Sequence, residues 1–356
     1  MNHRISKIRK ILTDKHLDAL VVLSDYNRRY LSGFTGTSGA LLITQDTLKL
    51  ITDFRYIKQA TEQAPYFDII KQQENLFDEL IQLFKDQSLF NIGFEGHLVS
   101  YDSFLKLNKG RHDLISLGTE IETIRQVKDE DEIAIIQKAA DIVDAAYEYI
   151  LTIVKPGMTE KEVKAHLESK MLHLGADDTS FDTIVASGYR GALPHGVASD
   201  KVIESGDMVT LDFGAYYNGY ASDITRTFAV GQPDPKMIEI YNIVLKAQEA
   251  ALQQIKPGIS GKAIDQIARD VINQEGYGQY FGHSLGHGIG LDVHEQPALS
   301  PKSQDTLEIN HCVTLEPGIY IEGLGGVRIE DDVLITKNGG QRFTNSTKDL
   351  IILKEE

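Results

Sequence analysis

A single cysteine, Cys312, is all the chain has, so it cannot form an intramolecular disulfide. That thiol lies inside an apolar run where burial is expected, and its isolation fits a reducing compartment, the cytoplasm. Long apolar runs are also missing. The first candidate for a buried strand, Ala19 to Leu23, falls far short of the roughly 20 residues that a membrane-crossing helix needs. Near the N-terminus Ile5, Ile8, Ile11 and Leu12 recur at helical spacing, but Asp14, Lys15 and Asp18 interrupt what would have to be the apolar core of a secretion signal. Positive charge is in deficit: 36 Lys and Arg face 52 Asp and Glu, a net charge of -16. A field of that sign repels phosphate backbones and anionic lipid, which argues against nucleic acid and membrane surfaces as partners.

What is present is a globular composition, 42% hydrophobic and 25% charged, over 356 residues, enough for two domains with a core each. Up to about Thr123, short apolar runs (Ala19 to Leu23, Ala40 to Ile43, Leu48 to Thr52, Phe90 to Phe94) alternate with helical stretches near 54–63 and 75–86, the pattern of a layered α/β domain. The stretch Gly33-Phe34-Thr35-Gly36-Thr37-Ser38-Gly39 invites comparison with a phosphate loop. It lacks the lysine and the following helix, so it reads as a glycine-rich connection. The charged run Lys128 to Glu132 opens a long helix in which Ile133, Ile136, Ala140, Val143, Tyr147, Ile150 and Val154 keep the helical period. A boundary just before it divides the chain into 1–124 and 125–356.

The second part repeats itself. Lys155-Pro156-Gly157-Met158-Thr159 returns 101 residues later as Lys256-Pro257-Gly258-Ile259-Ser260, each copy ending one amphipathic helix and capping the next. Gly206 to Gly214 aligns with Asn310 to Gly318 at an offset of 104, with Asp212 and Glu316 in matching places. A second acid follows each: Asp223 eleven residues after Asp212, and Glu330 fourteen after Glu316. Two copies of a βαβ-like unit, each giving two carboxylates, are expected to face each other across a pseudo-two-fold axis.

Four carboxylates at the buried ends of strands are expensive to ionise without a counter-charge, and divalent cations supply one. A nitrogen donor is best sought in Gly282 to Glu295, where His283, His287 and His294 fall close together among glycines. Two superficial matches carry no weight. Asp212-Phe213-Gly214 spells the magnesium tripeptide of kinases without the rest of their machinery. His294-Glu295-Gln296-Pro297-Ala298 lacks the second histidine of a zinc helix.

The set Asp212, Asp223, His287, Glu316 and Glu330 resembles the five-ligand dinuclear site of the pita-bread metallopeptidases, the group of methionine aminopeptidase, aminopeptidase P and prolidase. Segments 208–228, 281–297 and 313–332 carry the likeness, and the first domain resembles the creatinase-type N-terminal domain of the aminopeptidase P and prolidase branch. The resemblance implies an α/β (α+β) fold, with that domain followed by a pita-bread catalytic domain. It implies that Asp212 chelates one metal, that Asp223 and Glu330 bridge both, and that His287 and Glu316 complete the ligand set of the other metal. The ions would be manganese first, with cobalt or zinc as alternatives, and a water activated between them would be the nucleophile. Glu316 matches the proton acceptor, His195 and His294 the histidines that bind substrate and stabilise the oxyanion, and His283 a third histidine lining the pocket. Arg328, two residues before Glu330, is expected to support a ligating carboxylate. The family also implies a homodimer. All five ligand positions hold the required residue types, unlike metal-free relatives such as creatinase or members that only bind proteins.

The implied substrates are short peptides with proline in second position. Several prolidases carry an arginine four residues after the position of His294, suited to a dipeptide's free carboxylate. Here that position is Ala298, which tilts the expectation toward an Xaa-Pro aminopeptidase, with an Xaa-Pro dipeptidase as the alternative.

Overall fold

The computed structural model describes residues 2–354, which divide into two units, Met1–Arg125 and Gln126–Glu356. The first unit is built on a six-stranded sheet in the order Asp68–Lys71, Leu48–Thr52, Ala40–Thr44, Ala19–Val22, Asn91–Glu95, Asp113–Leu117. Ala19–Val22 pairs antiparallel with Ala40–Thr44 and parallel with Asn91–Glu95. All four of its residues are buried, as an apolar run without alternation predicts for a strand covered on both faces. The helix Leu76–Asp86 turns Leu80, Ile81 and Phe84 inward, and its N-cap Asn75 accepts hydrogen bonds from the Phe77 and Asp78 N–H groups. In the glycine-rich connection, Arg28 donates to the carbonyls of Gly36 at 2.6 Å and Gly39 at 3.1 Å. The loop thus turns carbonyls inward onto a cation, the opposite polarity to a phosphate cradle.

In the second unit the helix Glu130–Ile150 begins at a capping box between Asp129 and Glu132 and buries Ile136, Val143 and Ile150, each worth roughly 1.5–3 kcal/mol. The repeat is visible in the backbone. Thr159 caps Glu160–His173 and Ser260 caps Gly261–Gln274. The preceding glycines adopt the same left-handed conformation, φ 93° at Gly157 and 88° at Gly258. Gly157 N–H donates to Ile203 O at 2.9 Å, and Gly258 N–H to Leu307 O at 2.8 Å. No helix among the described residues is long and apolar enough to cross a membrane.

Each copy pairs its two acid-bearing strands, Met208–Phe213 with Ile224–Val230 and Cys312–Leu315 with Asp331–Thr336. Both pairs are antiparallel, which corrects the expected βαβ-like unit, whose strands would be parallel. In the first copy, Asn218 (φ 45°) and Gly219 (φ 73°) form a tight left-handed turn that sends the chain straight back, so no helix crosses over. The helices instead come before the strands and pack on them: Ile142, Val143 and Val163 meet Val209 and Phe228, while Ile240, Val244 and Ile264 meet Val313 and Val333.

The two copies are pinned together by buried polar contacts. Glu330 N–H donates to Thr225 O at 3.0 Å. Arg226, fully buried, donates to Asp331 at 2.7 Å and to the carbonyls of Glu330 and Ser346. Burial alone would raise the Asp331 carboxyl, but Arg226, Lys348 and Arg342 override it and hold the group at about 2. Cys312 is buried in its strand, and burial pushes its thiol up to about 12.

Candidate metal centre

The antiparallel pairing brings the ends of four strands together, and the acids sit at those ends. Asp212 is opposite Thr225 in the ladder, and Asp223 immediately precedes the partner strand. Glu316 follows Cys312–Leu315, and Glu330 precedes Asp331–Thr336. One cavity of about 390 Å³ is lined by all four, together with His195, His283, His287, His294 and Arg328, and it is completed by Phe181, Ile184, Val293 and Ala298. Every residue singled out from the sequence as a site candidate therefore borders the same space.

Ligand atoms of Asp223, His287 and Glu330 lie within 4.8 Å of one another. His287 Nε2 is 3.8 Å from Asp223 Oδ2 and 3.5 Å from Glu316 Oε1. Its Nδ1 is 3.0 Å from the Gly288 carbonyl, a contact that only an N–H satisfies, so the Nε2 lone pair is left facing the acids. Asp223 Oδ1 and Glu330 Oε1 are buried with no hydrogen-bond partner. Unpaired carboxylate oxygens of this kind, opposite an imidazole lone pair, are the donor set that a divalent cation completes. Without a cation, burial and mutual repulsion dominate. Burial first, then Glu330 and Asp212, raise Asp223 well above the usual carboxylate range. Burial, Glu316 and Asp212 do the same to Glu330, and burial takes Glu316 up to about 8.

The remaining acid, Asp212, is paired with Arg328, whose Nη2 donates to Oδ2. Arg328 is buried and ties several parts of the cavity wall together. Its Nε donates to Thr225 Oγ1 at 3.0 Å, and its Nη1 to Pro194 O at 3.1 Å and to Tyr320 Oη at 2.9 Å. The Pro194 contact fixes the segment carrying His195. Tyr320 Oη in turn lies 2.8 Å from His283 Nε2, while His283 Nδ1 faces Ser284 O at 2.8 Å. Both His283 nitrogens are thus committed, and burial, with Arg328 nearby, lowers its pKa to about 4, so the ring is neutral. His294 is more exposed, with its ring 4.4 Å from that of His287.

Sequence reasoning overlooked three residues. Tyr320 links Arg328 to His283. Thr225 Oγ1 donates to Glu330 Oε2 at 2.6 Å. Asp332, fully buried, accepts the Asp223 N–H at 2.8 Å. The signal for Asp332 was its place in Glu330-Asp331-Asp332, three successive acids opening an apolar strand.

Comparison with known proteins agrees with this architecture. Residues 134–337 match the model of metallopeptidase family M24, and residues 4–127 match the creatinase/prolidase N-terminal domain. A solved structure described as an Xaa-Pro dipeptidase from Bacillus anthracis superposes with a TM-score of 0.97 at 47% identity, covering 99% of each chain. The Xaa-Pro dipeptidase of Pyrococcus horikoshii is 42% identical over 354 residues, 99% of each chain. The X-Pro aminopeptidase from Thermotoga maritima superposes with a TM-score of 0.90 at 41% identity, covering 95% of this chain and 98% of its own. With the M24 model matching more than half of the sequence and relatives matching nearly all of it, the chain belongs to metallopeptidase family M24, its catalytic pita-bread unit preceded by a creatinase-type domain.

Proposed function

We propose that the chain is an Xaa-Pro dipeptidase, hydrolysing dipeptides with a C-terminal proline. The observation that carries this reading is the near-complete likeness to the Bacillus anthracis protein of that description, supported by the Pyrococcus relative. It reverses the order of preference that Ala298 suggested from sequence. Because Ala298 does line the cavity, and the Thermotoga relative is described as an aminopeptidase, Xaa-Pro aminopeptidase activity is the second reading.

In this proposal Asp212, Asp223, His287, Glu316 and Glu330 hold two divalent cations, manganese by preference, since a mixed carboxylate and imidazole set suits it. When bound, such ions supply Lewis-acid polarisation of the scissile carbonyl and an acidified water. The chain's own residues do the rest. Glu316 accepts the proton of the attacking water, its Oε1 oriented by a hydrogen bond from Thr314 Oγ1 at 3.2 Å. His195 and His294 donate to the substrate carbonyl as it gains negative charge. Arg328 orients the Asp212 carboxylate and holds Pro194, and with it His195, in place. Phe181, Ile184 and Val293 offer the prolyl ring an apolar wall. Proline has no N–H to satisfy, so an apolar surface costs it nothing in lost hydrogen bonding. A homodimer and a cytoplasmic location are proposed on the family resemblance and, for the latter, on the lone buried thiol.

The test compares kcat/KM for Ala-Pro, Ala-Pro-Ala and Ala-Ala on one preparation with manganese. Preference for Ala-Pro is expected. Higher kcat/KM on Ala-Pro-Ala would transfer the assignment to the aminopeptidase, and equal turnover of Ala-Ala would refute proline specificity altogether.

A further inference from the structure

A dipeptide brings a carboxylate close to the scissile bond, and the metal cavity is poorly suited to receive it. Four of its lining residues are acids. Its one arginine, Arg328, faces Asp212 and already uses Nε, both Nη1 hydrogens and one Nη2 hydrogen on protein acceptors. A cation for the substrate carboxylate must come from beyond that wall.

A second cavity, of about 340 Å³, adjoins the first and shares His283 and Ser284 with it. Its other polar residues are Arg269, Ser300 and Lys302, and no carboxylate lines it. The strand Glu295–Leu299 connects the two spaces, with Ala298 in the wall of the first and Lys302 just past its end in the wall of the second. Arg269 is largely spent. It forms a bidentate pair with buried Asp265, at 2.8 and 2.9 Å, and donates to Phe281 O and His283 O. It therefore positions the turn that carries His283, with one Nη1 hydrogen left over and its charge compensated. Lys302 is exposed, and among the described residues no carboxylate forms an ion pair with it. Its backbone is nonetheless held, because Ser303 N–H donates to Ser300 O at 3.1 Å and Ser303 Oγ accepts from Asp305 N–H at 3.1 Å. The uncompensated positive charge of this cavity is thus fixed at its base and free at its tip.

We propose that the free carboxylate of the substrate is received in this second cavity by Lys302, with the Ser284 and Ser300 hydroxyls completing its hydrogen bonds. Lys302 then does from position 302 what no side chain at Ala298 can do, and it selects dipeptides over longer or blocked peptides. The assignment rests on the dipeptidase reading above and gives that reading its specificity residue. Binding is read in KM, since the contact lies away from the reacting carbonyl.

The experiment measures kcat/KM for Ala-Pro and for its C-terminal carboxamide, with manganese, on wild type, Lys302→Ala, Lys302→Glu and Lys302→Arg. For wild type the ratio of acid to carboxamide should exceed unity. It should fall by about tenfold in Lys302→Ala, mainly through KM of the acid, and further in Lys302→Glu, with Lys302→Arg retaining most of it. A wild-type preference for the acid that persists in both Lys302→Ala and Lys302→Glu overturns Lys302 as the clamp and leaves the dipeptidase reading intact. A wild type with no preference for the acid overturns both.

Discussion

Metal binding should expel protons. Asp223 and Glu330 are pushed well above the usual range by burial and by neighbouring carboxylates, and Glu316 is raised to about 8. At pH 7 the metal-free site therefore holds Glu316 mainly protonated, and burial shifts Asp223 and Glu330 in the same direction. His287 contributes none, because burial lowers its pKa and its Nε2 is already bare. A cation binds the ionised carboxylates, so about one proton leaves from Glu316 per chain and the raised Asp223 and Glu330 add to it, and affinity rises by about one logarithmic unit per pH unit for each proton released. The sign follows from the folded-state shifts: raised carboxyls resist ionisation until the pH approaches their folded values, so the competition from protons is strongest at low pH and fades as pH rises, at Glu316 above about 8. Titration calorimetry of chelator-stripped protein with manganese, run at pH 7 in buffers of different ionisation enthalpy, counts the protons directly. Binding without proton release, or affinity flat between pH 6 and 8, would refute the argument that these carboxyls are neutral before the metal arrives.

Substitutions should separate ligands from neighbours. Asp223→Asn and Glu330→Gln are expected to lose manganese and turnover together, whereas His294→Ala should keep manganese, by metal analysis, and lose mainly kcat. The repeat's first cap is worth measuring, since Thr159→Ala removes the side-chain half of a capping box, the hydroxyl that accepts the Glu162 N–H, and should cost about 1 kcal/mol in denaturant unfolding. His311 is buried and accepts the Glu308 N–H at Nδ1, and burial beside Lys128 lowers its pKa to about 4. Its contribution is present above the unfolded value of 6.5 and lost as pH falls toward 4, by up to about 3 kcal/mol; relative to wild type, His311→Gln should therefore gain stability over that window, and parallel curves would exclude it.

What could be read from the sequence and what could not divides by the range of the contacts involved. The acids at 212, 223, 316 and 330 announce themselves because a duplicated segment repeats their setting at nearly constant offset, and a repeat is a property of the string itself. Four of the first unit's six strands were equally plain, since a run such as Ala19 to Val22 needs no partner to be recognised as apolar, while the edge strands Asp68–Lys71 and Asp113–Leu117, less buried and more polar, went unread. The βαβ-like unit went astray where local chemistry was available and not used: Asn218-Gly219 between aromatic residues is a hairpin signal, and it dictates antiparallel return. Thr225, Asp332 and Tyr320 belong to a different class. The first two act across the repeat interface on residues 105 and 109 positions away, and the third acts by joining Arg328 to His283. Thr225 looks ordinary in sequence because the contact that makes it matter comes from the opposite copy, and Asp332 shows only as one of three successive acids. The duplication therefore marks where the charges converge, while groups that set their geometry and ionisation lie on the seam between copies, where the repeat by itself does not point to them.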